Sequence, residues 1–177
     1  MPKRSSYPRR AQDAYFTPVE PVRELARHVA PGSTFIEPCA GDGRLVRHLT
    51  AVCGLICVAA FDTHPAGPGV ARGDALTDPL PPADYIITNP PWSRHLLHPM
   101  ITRFAAHAPA WLLFDAGWWQ TGQARPFEPV LRTVQGAGRV SWMENGRNGM
   151  DDAAWHLFDA RAPGGPGFEA HMPRGAS

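Results

Sequence analysis

Lysine is nearly absent from this chain: Lys3 is the one lysine among 17 basic residues, and the other 16 are arginine. In a sequence with 20 prolines and 17 glycines, that bias follows overall composition and does not mark a nucleic-acid surface. Cysteine is scarce as well. Three cysteines cannot build a disulfide framework, and Cys53 and Cys57 lack a second pair at zinc-ligand spacing. No apolar run reaches the ~18 residues of a membrane span, and the N-terminus lacks the apolar stretch of a secretory signal. His28, His48, His95, His98 and His107 show no metal-ligand spacing. Together these absences predict a cytoplasmic protein with no membrane partner and no bound metal.

The chain has 177 residues, 44% of them hydrophobic and 19% charged, with a net charge of +1. That is enough to bury one sizeable core. Residues 1–14 carry Lys3, Arg4, Arg9 and Arg10 against Asp13, a net of +3 on a body of net −2. Such an arm either touches phosphates or is a solvated tail. Residues 1–12 and the Gly/Pro-rich 162–177 are predicted to be disordered. Between them, 13–161 reads as one domain.

Short apolar runs alternate with helical patterns. Helices are predicted at Val19–Val29, Arg44–Val52 and Leu96–Ala106, the last kinked or delayed by Pro99. Strands are predicted at Thr34–Glu37, Leu55–Phe61, Tyr85–Thr88 and Trp111–Phe114, with a short one before Asp74. Two late strands, Val140–Met143 and Ala154–Phe158, follow an expected helix beyond Phe127 and should pair antiparallel at one edge. The alternation implies an α/β fold, a mostly parallel sheet with helices on both faces. Ligands bind such sheets beyond the carboxyl ends of the strands. Glu37, Asp62, Asn89 and Asp115 stand at those ends.

Glu37-Pro38-Cys39-Ala40-Gly41-Asp42-Gly43 joins a strand to a helix. Gly41 and Gly43 permit positive φ and close backbone approach. Val46 stands where a dinucleotide fingerprint wants a small residue, and no Gly-Lys-Ser/Thr follows for a phosphate loop. Asp62 closes the next strand 19 residues after Gly43, the place from which a carboxylate accepts ribose hydroxyls. Asp74 could accept from an adenine amino group. A plain structural turn is the competing reading of the glycines.

This set resembles the S-adenosylmethionine-dependent methyltransferases. The resemblance implies a Rossmann-like class I methyltransferase fold with a seven-stranded sheet. It puts Glu37, Gly41 and Gly43 at the methionine end of S-adenosylmethionine, with Asp62 at its ribose and Asp74 at its adenine, and implies further cofactor contacts from Pro38, Cys39 and Asn89. Tyr15-Phe16-Thr17-Pro18 is similar to the N-terminal cofactor motif of DNA adenine methyltransferases, which implies cofactor contacts from Phe16 and Thr17. Thr17-Pro18 also reads as a helix start, with Thr17 as cap.

Asn89-Pro90-Pro91-Trp92 follows an Ile-Ile-Thr strand. It resembles the Asp/Asn-Pro-Pro-aromatic motif of amino-methyltransferases, and the chemistry accounts for the residue types. An adenine amine is a poor nucleophile because its lone pair is delocalised into the ring. The Asn89 amide oxygen and the Pro90 carbonyl can accept its two N–H bonds and favour a tetrahedral nitrogen, so catalysis is positioning plus oriented dipoles. Pro90 and Pro91 fix φ and bring no competing N–H. Trp92 offers a face to an extruded base, worth ~1–3 kcal/mol. A simple turn is the alternative. The same tetrapeptide serves enzymes acting on RNA adenine, other exocyclic amines or a protein glutamine.

Beyond it, Trp118, Trp119 and Arg125 precede a Gly-rich stretch and an Ala-Trp-containing last strand. That layout resembles small, phage-type DNA N6-adenine methyltransferases. Trp118 and Trp119 would flank a bound base, or pack in the core and at the rim. Asp74 and Asn89 are 15 residues apart, which leaves no room there for a recognition domain. Target choice then falls to short loops, a dimer mate or a partner subunit, or is hardly made at all. The expected activity is methyl transfer to adenine N6 in DNA, releasing S-adenosylhomocysteine. RNA adenine, a protein amide or a catalytically weak binding module are the alternatives.

Overall fold

The structure is a computed structural model that describes residues 17–140 and 152–169. In chain order it contains α1 (Val19–Leu25), β1 (Thr34–Glu37), α2 (Arg44–Cys53), β2 (Ile56–Asp62), β3 (Ala71–Arg72), β4 (Tyr85–Thr88), α3 (Arg94–His107), β5 (Ala110–Asp115), β6 (Leu131–Arg139), β7 (Asp152–Phe158) and β8 (Gly167–Glu169). The strands form one sheet in the order β3-β2-β1-β4-β5-β7-β6-β8. From β3 to β5 all neighbours are parallel. β7 is antiparallel to both β5 and β6. The strand order reverses between β1 and β4, which opens a crevice beyond their carboxyl ends.

Adjacent residues on each central strand divide between the two faces, as pleating requires. Ile36, Ile86, Leu112 and Phe114 pack with Leu97, Met100, Ile101 and Phe104 of α3. Phe35, Ile87, Trp111 and Leu113 pack with Val22 and Leu25 of α1 and Leu45 and Leu49 of α2. Truncating any of these fully buried side chains to alanine would cost ~2–5 kcal/mol.

Several expectations are revised. α1 ends at Leu25, not Val29, and Pro18 occupies its cap position without a side-chain cap bond. α3 begins two residues early and runs through Pro99. Pro99 and His95, whose carbonyl loses its helical donor, are both exposed, so water can serve that carbonyl.

Among the described residues, no helix follows Phe127. That stretch is β6, with irregular register at Leu131/Thr133 and at Gly136/Gly138. The first irregularity adds a residue, so Leu131 and Val134, three apart, face the same core and mimic helical spacing. Of the expected strand Val140–Met143, Val140 is buried and outside β6, and the other residues lie outside those described. Among the described residues the sheet has eight strands where seven were expected. The eighth, β8, falls in the segment expected to be disordered and pairs parallel with Thr133–Gln135 of β6. Among the described residues, no helix is long and apolar enough to cross a membrane.

Candidate active site

The glycine loop leaves β1 at Glu37, whose side chain is fully buried. Glu37 Oε1 accepts the Cys39 N–H at 3.1 Å. Glu37 Oε2 and the neighbouring Thr88 hydroxyl are both buried without a well-formed hydrogen bond. Burial pushes the Glu37 carboxyl up to about 8; the Thr88 hydroxyl and Cys39 N–H oppose the rise, and the Asp62 charge adds to it. Burial, followed by Glu37, also pushes the Cys39 thiol well above its ordinary range, so it carries no thiolate at neutral pH.

Gly41 and Gly43 both take positive φ, 52° and 74°. The left-handed turn closes with a bond from Gly43 N–H to the Ala40 carbonyl at 2.7 Å, and α2 starts from it. Asp42 accepts the Arg44 N–H at 2.8 Å, which satisfies one donor of the first helical turn. Two bonds tie the loop to the end of β2: Ala40 N–H to the Phe61 carbonyl at 3.0 Å, and Gly41 N–H to Asp62 Oδ2 at 2.9 Å.

The chain then doubles back over the loop. Asp62 Oδ1 accepts the His64 N–H at 2.8 Å, and Ala66 N–H donates to the Gly41 carbonyl at 2.9 Å. Gly67 passes so close that a Cβ there would lie 2.2 Å from the Asp42 carbonyl oxygen. Gly67 has a role that sequence spacing does not signal.

Asp74 follows β3 in a tight turn, its Oδ1 accepting the Leu76 N–H at 2.8 Å. Asp78 Oδ2 accepts the Asp74 N–H at 2.9 Å. The Arg103 guanidinium, reaching from α3, donates to the carbonyls of Leu76 and Asp78. Arg103 therefore clamps the turn that bears Asp74, and its helical position gave no sign of it.

Asn89 follows β4 directly. Its Nδ2 donates to the Thr17 hydroxyl at 3.2 Å, and its Oδ1 accepts the Trp92 indole N–H at 3.3 Å. Thr17, buried at 3% exposure, thus engages Asn89 across 72 residues of sequence and does not cap α1. Pro90 is buried, and Pro91 and Trp92 are half-buried.

The topology therefore brings Thr17, the Glu37–Gly43 loop, Asp62, Asp74 and Asn89 to the same end of the sheet. Phe16 lies outside the described residues, as do Tyr15 and the basic arm. Trp118 is a correction: it is buried, with its ring edge-on to Phe114, His156 and Phe158, and presents no face to a substrate. Trp119 sits half-buried against Phe168 at 4.3 Å, and Arg125 is exposed.

The residues present fit the cofactor that this architecture implies. The buried Glu37 carboxyl, whose Oε2 has only the Thr88 hydroxyl beside it, the Asp62 and Asp74 carboxylates and the glycine turn together suit a ligand with cationic and hydroxyl groups. Glu37 and the glycine loop would take its methionine end, Asp62 its ribose and Asp74 its adenine.

No family model and no curated protein matches this chain. Solved structures do. TrmN from Thermus thermophilus is 17% identical with a TM-score of 0.56, over 78% of this chain and 48% of that one. A dimethyladenosine transferase from Plasmodium falciparum is 13% identical with a TM-score of 0.54, over 82% and 62%. The M protein of the type I restriction enzyme EcoKI is 13% identical with a TM-score of 0.52, over 83% and 45%. This chain spans about half to three fifths of the length of these structures. At such identities the likeness is one of fold, and the fold is that of the Rossmann-like class I methyltransferases.

Proposed function

We propose that this protein transfers a methyl group from S-adenosylmethionine to N6 of adenine in DNA, with the base extruded into a pocket at Asn89-Pro90-Pro91-Trp92. The observation that carries this reading is the held amide of Asn89 at the end of β4, with Thr17 on one side and Trp92 on the other. A merely solvated turn would not need both ends of that side chain fixed. The likeness to a restriction-enzyme M protein and to a dimethyladenosine transferase supports a nucleic-acid adenine as the methyl acceptor. The sequence layout beyond the motif, which resembles that of the phage-type enzymes, favours DNA.

When bound, S-adenosylmethionine supplies an electrophilic methyl group on a sulfonium. The protein's own part is to orient the amine. Asn89 Oδ1 and the Pro90 carbonyl accept the two N–H bonds, which turns the nitrogen lone pair towards the methyl group. Two dipoles already in place do this without reorganising water. No residue has to remove a proton first, because the amine becomes acidic only once it is alkylated. Cys39, held as a neutral thiol, does not compete as a nucleophile.

The test is incubation with isotopically labelled cofactor and either DNA or RNA, followed by mass spectrometry of the nucleosides. Labelled N6-methyldeoxyadenosine supports the proposal. Label in RNA adenosine alone moves the substrate to RNA. Cofactor binding by calorimetry with no methylated product identifies a binding module. Asn89→Ala should slow transfer by ~10²–10³-fold, as loss of one preorganised polar group does, while cofactor affinity changes much less.

A further inference from the structure

We infer that Trp92 is a positioning residue whose indole N–H fixes which end of the Asn89 amide faces the substrate; this rests on the function proposed above. The two ends of a carboxamide are nearly equal in shape and opposite in hydrogen-bonding sense. The Thr17 hydroxyl can donate or accept, so it fits either end of Asn89. An indole N–H is donor only. Facing Asn89 at 3.3 Å, it has to meet the oxygen, and the amino end then turns to Thr17 at 3.2 Å.

The orientation matters because only the oxygen can accept an N–H from the methyl acceptor. A carbonyl oxygen has two lone pairs, so Oδ1 can serve the indole and a substrate amine together. The reversed amide would present Nδ2 hydrogens to the amine hydrogens. The two prolines between Asn89 and Trp92 fix φ, so the local chain leaves little freedom to lose in forming this contact. The ring is anchored as well, packed half-buried against the core on the α3 side. A phenylalanine at position 92 would supply a face with no donor. This assigns the indole a job beyond stacking: it holds the acceptor in register.

The experiment replaces Trp92 with 3-benzothienylalanine, which has the shape of tryptophan with sulfur in place of N–H, alongside Trp92→Phe. Methyl transfer to an adenine-containing DNA duplex is measured at saturating cofactor, in single turnover at saturating DNA for the rate and across DNA concentrations for KM, with calorimetry for the cofactor. The expected result is a rate about five- to tenfold lower for the benzothienyl protein, the size of one lost neutral hydrogen bond. KM for DNA and the cofactor Kd should stay at wild-type values. A wild-type rate in the benzothienyl protein overturns the inference, as does an effect confined to KM, which would leave Trp92 as a stacking platform.

A second readout needs no methyl transfer. In 15N spectra, Asn89→Ala should shift the Trp92 indole resonance and speed its hydrogen exchange, and an unmoved, equally protected indole overturns the contact. If the wild-type protein methylates no nucleic acid yet the indole responds to Asn89, the proposed function fails and the positioning stands.

Discussion

The Asp62 carboxylate grips the backbone at two places, accepting the Gly41 N–H at 2.9 Å with one oxygen and the His64 N–H at 2.8 Å with the other. The residue expected to bind a ribose is therefore also the brace of the glycine loop. Its carboxylate has four lone-pair sites, so both duties are compatible. Asp62→Ala should lower the cofactor-free melting temperature as well as cofactor affinity, since each lost charged acceptor is worth ~1.5–3 kcal/mol. Thermal unfolding followed by calorimetry separates the two effects. An unchanged melting temperature with weaker cofactor binding would confine Asp62 to the ligand.

Gly67 should tolerate no side chain. Its Cβ would stand 2.2 Å from a backbone oxygen of Asp42, which cannot swing away as a flexible side chain could. Gly67→Ala should destabilise the fold by ~1–3 kcal/mol, the cost of overpacking, and weaken cofactor binding by displacing the loop. Gly122→Ala, which meets nothing within 4 Å, is the matched control. Equal denaturation midpoints for the two variants would refute the close approach.

Glu37 should erode stability as pH rises. Its carboxyl, pushed up to about 8 in the fold from an ordinary 4.5, keeps a proton that the unfolded chain releases. Glu37 thus costs nothing below about pH 4.5, costs up to ~1.4 kcal/mol per pH unit above that, and levels off beyond about 8. Glu37→Gln should match wild type near pH 4 and exceed its stability near pH 8. Denaturant titrations at both pH values test this, and parallel curves would place the carboxyl in water.

His156 should act in the opposite direction. It lies fully buried on β7, its ring stacked 3.9 Å from that of Phe114 and its Nδ1 3.1 Å from the Ala154 carbonyl oxygen. Burial holds its pKa down at about 3, with the backbone contacts at Ala154 and Leu112 resisting. The unfolded chain takes up a proton below about 6.5, so stability present above that pH is lost as pH falls towards 3. His156→Phe should lose less stability than wild type between pH 7 and pH 4. An imidazole C2 proton that titrates near 6.5 in NMR would contradict the burial.

What the sequence made legible and what it hid divide along physical lines. Glu37, Asp62 and Asp115 end β1, β2 and β5, and Asn89 follows β4, because an apolar run that stops at a polar residue marks the end of a core strand, whether that residue is exposed, as Asp115 is, or buried, as Glu37 is. α2 was legible because its apolar residues recur at helical spacing, and it is closed by Gly54 at φ 65°. β6 was hidden because its irregular register turns alternation into a period of three. β8 was hidden because its three residues answer the open backbone edge of β6, which no side-chain pattern encodes. Thr17 read as a helix cap because local rules cannot see a partner 72 residues away. Gly67 and Arg103 matter through contacts with backbone oxygens, and those leave no trace in residue spacing.

The place of β7 bears on how the molecule is made. β7 lies between β5 and β6 although the ribosome delivers it after both. Until residue 158 has been synthesised, the nascent chain carries a β5 whose Trp111–Phe114 run is apolar on both faces and open along one edge. At ~5–20 residues per second, the gap between Asp115 and Phe158 leaves that edge unpaired for a few seconds. Edges of this kind invite pairing with other chains. Slowing translation over this stretch should therefore favour aggregation, and a prematurely terminated product would lack the middle of its sheet and not merely its rim.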